Sequence, residues 1–448
     1  MDWVRDTLRN GTWLTRERIR FVAAALFIAS AAGFLYLVVT AHGAVDFKGR
    51  PLGTDFSNVY AAGTYVIDGR PEAPFDPVQQ FARERSIFGA ATQFYGWHYP
   101  PYFLFIAAAL AWLPYGLAFA VWQIATLGLY LWAIAAIMSG FAQRGESRGE
   151  GGFGAVGLAA PGQAELLLLA LAFPAVLINI GHGQNGFLTA ALLGGGLVLL
   201  DRRPIAAGIL IGLLAYKPQY GLLIPLALAA SARWRSFAAA AVTVLLLTAA
   251  TTLVFGPQVW RAFLASTEFT RIVVLEQGNT GWSKIQSVFS WARMWGLSVP
   301  CAYAIQGAVI VALCAGLVWL WRSVASYPLK ATALCLATIL ATPYSLDYDM
   351  MVLAPAIAFL AADGLARGFG PWEKTALAAL WLVPLVTRNV AQLSLIPLGV
   401  PTMLMMFFLI LRRAKLDLHV PVAFPDPSFT MAREPAAPRR HDIAVLGS

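Results

Sequence analysis

The chain has 448 residues, 59% hydrophobic and only 12% charged, where a soluble domain carries roughly 25% charged residues. Apolar runs long enough to cross a bilayer recur from Phe21 to the MFFLILRR stretch at 406–413, which excludes an ordinary soluble protein and predicts an all-α polytopic membrane protein. The net charge of +9 sits between the apolar runs and not in a basic stripe interleaved with stacking aromatics, so no nucleic-acid partner is expected.

In chain order, residues 1–19 are basic and precede FVAAALFIASAAGFLYLVVT (21–40). That run is long for the apolar part of a signal peptide, so it reads as an uncleaved first span with a cytosolic N-terminus. Residues 41–115 form a long first outer loop with structure of its own. DFSNVYAAGTYVIDG sets Phe56, Val59, Tyr60, Gly63, Val66 and Ile67 on one helical face. DPVQQFARERSIFG then supplies Asp76 as N-cap, Pro77 at the first helical position and Gly89 as the stop. YGWHYPPYFLFIAAALAWLP is apolar for only about 13 residues between its prolines, too short to cross comfortably, and predicts a re-entrant or interfacial helix.

Further spans are expected near 116–139, 163–180, 186–201, 204–216, 219–231, 236–255, 301–322, 329–343, 349–363, 373–388 and 395–412, about twelve in all. GGG at 194–196 and the Gly208–Gly212 pair predict close helix packing. Cys301, Cys314 and Cys335 fall in these runs without metal-site spacing and read as small core residues. With the N-terminus inside, the segments FAQRGESRGEGG, DRR, SARWRS, WRSVASYPLK, LARGFGPWEK and LRRAKLD all face the cytoplasm, and each carries Lys or Arg. The expected organisation is a membrane domain over 20–415 and a disordered cytosolic tail over 416–448.

The same orientation collects the unusual polar residues on the outer face, where ionisable groups beside a membrane mark a site or a pathway. Asp55 precedes a helix as an N-cap would, and equally stands where a general base would meet a lipid-borne hydroxyl. His98 lies among Tyr95, Trp97 and Tyr99, an interfacial aromatic belt or a set of sugar-stacking faces with a hydrogen-bond donor. NIGHGQNG offers His182, Gln184 and Asn185 in a turn whose glycines geometry explains. Lys217, with Gln219 beside it in AYKPQYG, is a lysine on the disfavoured side of the membrane and needs either a partner or an anionic ligand. Arg271, Lys284 and the tryptophans between 256 and 300 suit a surface segment, a lid or an acceptor site. Asp347 and Asp349 suit helix capping and compensation of Lys217 or Arg388. There is no P-loop, no dinucleotide fingerprint and no GxSxG. A secondary transporter or flippase is the competing reading, but no internal repeat supports it.

The run TDFSNVYAAGTYVIDGRPEAPFDP, then HYPPYFLFIAAALAWLP, then GHGQNGFLTAALLGGGLVLLDRRPIAAGILIGLLAYKPQYGLLIPLAL resembles glycosyltransferase family 87. These are membrane-embedded GT-C enzymes related to polyprenyl-phosphate-mannose-dependent α-mannosyltransferases, and the resemblance extends over roughly residues 15–415. It implies a GT-C-like fold, a polyprenyl-phosphate sugar donor with mannose favoured, a lipid or glycan acceptor, and a plasma-membrane protein with both termini cytoplasmic and an extracytoplasmic site. It makes Asp55 the catalytic base, acting with inversion. It also maps the family's Lys-Pro and Gln-Asn motifs onto Lys217, Gln184 and Asn185; with these, the residues themselves make His98, His182, Gln219 and Arg388 donor-binding candidates, and Trp97, Tyr99, Arg271, Lys284, Asp347 and Asp349 acceptor or lid candidates. The single Asp55, followed by Phe56 without an Asp-x-Asp pair, departs from metal-binding relatives and implies a metal-independent reaction without cofactor.

Overall fold

The computed structural model describes residues 2–146 and 161–417, and within them the apolar runs are helical, because helices satisfy their backbone groups internally where lipid cannot. The described residues form nineteen α-helices and no β-strand beyond isolated bridges. Six helices are long and apolar enough to cross a membrane: Arg16–Val39, Tyr115–Gly140, Trp234–Phe255, Val299–Arg322, Asp347–Arg367 and Glu373–Ser394. Gln163–Leu171 and Pro174–His182 make a seventh if taken as one span, bent by 53°. The bend falls at Pro174, which has no N–H to continue the ladder.

Four of the other expected spans, Gly186–Leu199, Pro204–Tyr216, Pro218–Ala230 and Tyr327–Leu340, are helices of close to the expected extent but only 10–17 residues long. Pro101–Ala111 is likewise short, as expected of a segment that does not cross. Fourteen residues rise about 21 Å, well under the ~30 Å of hydrocarbon. Prolines and turn residues cut these runs, and several of the pieces are core rather than lipid-facing: Tyr327–Leu340 buries most of its residues. Small residues let them approach. A methyl group on Gly208 would lie 2.4 Å from the Ser236 carbonyl oxygen, and one on Gly212 would lie 2.6 Å from Thr243 Cβ. Arg16–Val39 and Trp234–Phe255, by contrast, each bury only 6% of their apolar window and form the periphery. Cys335 is core as expected, but Cys301 is exposed in the first turn of Val299–Arg322.

The first loop folds onto the bundle. Phe56–Ile67 lies against Leu104–Ala111 so closely that a methyl on Gly63 would sit 2.0 Å from the Ala107 carbonyl oxygen. The helix is buried on more than its expected face: Ser57 and Asn58 are buried, while Ile67 is 40% exposed. Asp76 caps Pro77–Phe88 through the N–H groups of Val78 and Gln79, and Gly89 ends it at φ +100°. The 256–300 segment is a helix, Gln258–Phe269, continued by a π-helical stretch, Thr270–Glu276, and by two short helices, Trp282–Lys284 and Val288–Met294. The last helix, Gly399–Asp417, runs just past the expected boundary at 415. The tail over 418–448 and most of the expected loop after residue 146 lie outside the described residues.

Candidate active site

At one end of the bundle, under the first loop and the 256–300 segment, is a cavity of ≈ 1090 Å³. Its lining brings together Asp55, His98, Tyr99, His182, Gln184, Lys217, Gln219, Arg271, Lys284, Asp347, Asp349 and Arg388, from stretches more than 300 residues apart in the chain. Two candidates are elsewhere. Trp97 is buried against Phe75, Tyr99 and Phe103 and does not reach the cavity. Asn185 is buried in the turn before Gly186–Leu199, with both side-chain amide atoms unpartnered. Neither lines this cavity.

Asp55 occupies the N-cap position of Phe56–Ile67 but makes no capping hydrogen bond. Its backbone N–H instead donates to the His182 carbonyl (2.9 Å), tying the first loop to the 182–186 turn. Gly183 permits that turn at φ +66°, and a Cβ there would meet Phe56 at 2.5 Å. The freed carboxylate accepts a hydrogen bond from Gln184 Nε2 (2.8 Å), and its Oδ2 lies 3.7 Å from His182 Nδ1. Gln184 is itself held, its Oε1 accepting the Tyr99 hydroxyl (2.8 Å), while Thr54 Oγ1 is 2.9 Å from His182 Nδ1. Burial pushes the Asp55 pKa up, but His182, Gln184 and Lys284 outweigh it and hold the carboxyl below its usual value. Asp55 is therefore an ionised, oriented carboxylate at neutral pH.

The cations are distributed differently from the sequence expectation. Lys217 emerges at the break between two 3-10 helices, Leu213–Tyr216 and Pro218–Gly221, and is ion-paired with Asp349. It also lies 5.3 Å from the Tyr348 ring centroid, and Asp349 accepts the Leu346 N–H (2.9 Å). A lysine so buried has its charge already compensated, so the lumen's available positive charge comes from elsewhere. Arg388, one turn beyond Pro384 in Glu373–Ser394, is 3.5 Å from Asp347 and a third exposed. Lys284 forms no ion pair among the described residues; burial and Arg388 lower its pKa, against the pull of Asp55 and Asp347. His98 is pushed down to about 4 by burial, so it serves as a neutral hydrogen-bonding group, with Nδ1 2.9 Å from Thr270 Oγ1 in the π-helical stretch. Arg271 is paired with Glu276 (2.8 Å).

The structure adds residues that sequence reasoning missed. Asn58 lines the cavity one turn after Asp55, its Oδ1 buried without a partner; the i, i+3 spacing from Asp55 was the available signal. Tyr348 and Arg50 also line it, the latter paired with Asp46 (2.9 Å). Glu84, wholly buried beneath the wall, accepts the N–H groups of Tyr95 (3.0 Å) and Gly96 (3.2 Å) and so sets the segment carrying His98 and Tyr99. The ionised Asp55, Lys284 and the part-exposed Arg388, the last salt-bridged to Asp347, thus share one chamber with the Lys217–Asp349 pair, an arrangement suited to deprotonating a hydroxyl while an anion departs.

The sequence profile of glycosyltransferase family 87 matches residues 97–343, while no curated protein and no solved structure matches significantly. The matched span includes His98, Gln184, Lys217 and Lys284 but neither Asp55 nor Arg388, which only the fold brings to them. The match covers more than half of the chain, and the protein belongs to glycosyltransferase family 87.

Proposed function

We propose that this membrane glycosyltransferase moves a monosaccharide, with mannose favoured, from a polyprenyl-phosphate carrier to a hydroxyl of a lipid or glycan acceptor on the extracytoplasmic side, within a GT-C-like fold. Asp55 takes the proton of the acceptor hydroxyl as its oxygen attacks the anomeric carbon. The bond from that carbon to the phosphate oxygen breaks, and the polyprenyl phosphate leaves with the bonding pair. Attack opposite the leaving group inverts the anomeric centre. Since the leaving group departs as an anion, no second carboxyl is needed to protonate it, and Lys284 and Arg388 answer its charge without a metal ion.

The observation that carries this reading is Asp55: a carboxylate released from helix capping and clamped by Gln184 in the chamber that also holds Lys284 and Arg388. The test is transfer by the purified protein from a panel of polyprenyl-phosphate sugars, comparing wild type with Asp55→Asn. Removal of a general base costs about 10²- to 10⁴-fold. A folded Asp55→Asn protein with undiminished transfer would sink the assignment.

A further inference from the structure

A second cavity, of ≈ 610 Å³, lies in the other half of the bundle, between Arg16–Val39, Gln163–Leu171 and Glu373–Ser394. Along Glu373–Ser394 the two cavities use successive stretches: Lys374 to Leu382 line the second, Pro384 to Asn389 the first. At the end facing the candidate active site, Trp381 donates its Nε1–H to the Leu169 carbonyl (3.3 Å) and lies 6.3 Å, ring centroid to centroid, from Phe173. This contact joins the broken span to Glu373–Ser394 near the point along that helix where one lining gives way to the other.

The opposite end is charged, with Arg16, Glu17, Arg18, Glu165 and Lys374 at the rim. Arg16 is paired with Glu165 (2.8 Å). The Arg18 guanidinium donates to the Trp13 carbonyl (2.9 Å), and Lys374 lies 5.6 Å from the Phe369 ring centroid; neither forms an ion pair among the described residues. Three cations against two carboxylates leave the rim with one net positive charge. Between rim and floor the wall is hydrocarbon, exemplified by Ile134, Leu166, Ala358, Ala361 and Leu377. Such a wall gives water no hydrogen-bond partners and gains dispersion contacts from an apolar occupant.

Length and polarity identify the occupant. From Lys374 to Leu382 the helix rises about 12 Å, close to the ~15 Å depth of one leaflet. The lightly packed Arg16–Val39 gives lateral access, with Phe21 75% exposed at the cavity edge. A lipid anchored by its head group at Lys284 and Arg388 would leave the rim cations of this cavity unanswered.

We propose that this cavity holds one acyl chain of an anionic phospholipid from the leaflet opposite the candidate active site, with its phosphate at Arg18 and Lys374. The lipid joins the peripheral first span to the rest of the bundle. This inference does not depend on the glycosyl-transfer reading, because its readout is lipid retention.

The test is native mass spectrometry of the purified, delipidated protein titrated with dioleoyl phosphatidylglycerol, dioleoyl phosphatidylcholine or farnesyl phosphate. Wild type should retain one phosphatidylglycerol, preferred over phosphatidylcholine by roughly tenfold, as expected of one or two cation contacts. Ala358→Phe with Ala361→Phe fills the chamber and should lower that occupancy at least tenfold, with folding checked by thermal unfolding. Arg18→Gln with Lys374→Gln leaves the chamber open and should abolish the preference while keeping the lipid, which decides the matter should the filled variant not fold. Unchanged retention in a folded filled variant, equal binding of the two phospholipids by wild type, or retention of farnesyl phosphate in their place would each overturn the proposal.

Discussion

Replacing Glu84 by Gln keeps the shape of a wholly buried side chain and removes its titration. Glu84 accepts hydrogen bonds from Tyr95 N–H, Gly96 N–H and Gln80 Nε2 (3.2 Å), and Gln80 also donates to the Asn58 carbonyl (3.0 Å). Burial is the largest influence and drives the pKa from 4.5 to about 7; the hydrogen bonds oppose it and the charge of Asp55 adds to it. At about 1.4 kcal/mol per pH unit, that rise is worth about 3 kcal/mol. The folded-state pKa lies above the unfolded one, so the stabilising contribution is complete below about pH 4.5 and is lost as pH rises through about 7. Wild type should therefore lose up to about 3 kcal/mol between pH 5 and 8 that Glu84→Gln does not lose. The assay is the thermal midpoint of both proteins in the same detergent across that range. The gap between the curves should change with pH by several degrees, wild type falling relative to the variant. Parallel curves would refute the reasoning.

Lys217→Met strands Asp349 in a buried site and should destabilise by about 3–5 kcal/mol, with Lys217→Met/Asp349→Leu recovering part of it in the same thermal assay. The acid limb of transfer should lie below the usual carboxylate range, because Asp55 is held down and loses its proton-accepting form only as pH falls through that lowered pKa. Gln184→Ala removes one of the groups holding it down and should move the limb upward in a pH–rate profile. Lys284→Ala or Arg388→Ala should raise the donor KM by about tenfold or more, the worth of a charge-assisted contact, whereas Lys217→Met judged at equal folded protein should raise it less. Gly63→Val places a side chain into the Ala107 backbone and should abolish a monodisperse peak in size-exclusion chromatography.

Much of this was readable along the chain because it depends on local chemistry. Hydrocarbon runs must be helical in lipid, Asp76–Pro77 starts a helix and Gly89 ends one, and Gly208 and Gly212 announce a close contact. A lysine flanked by apolar runs was bound to need a counter-charge, and Asp349 provides it. The number of crossings was not readable, since hydropathy does not distinguish a run that meets lipid from one, like Tyr327–Leu340, that meets only protein. Nor were the roles at the site. Asp55 looks like a cap by position, yet its carboxylate turns to Gln184, a residue far along the chain. Asn185 and Trp97 share motifs with cavity residues, but a one-residue step along a turn or strap rotates a side chain out of the lumen. Which cation is compensated and which faces the chamber depends on distances between helices. Sequence thus determined which groups are costly to leave alone in a membrane; the tertiary structure decided which of them meet, because pairing energies depend on separation in space and not along the chain.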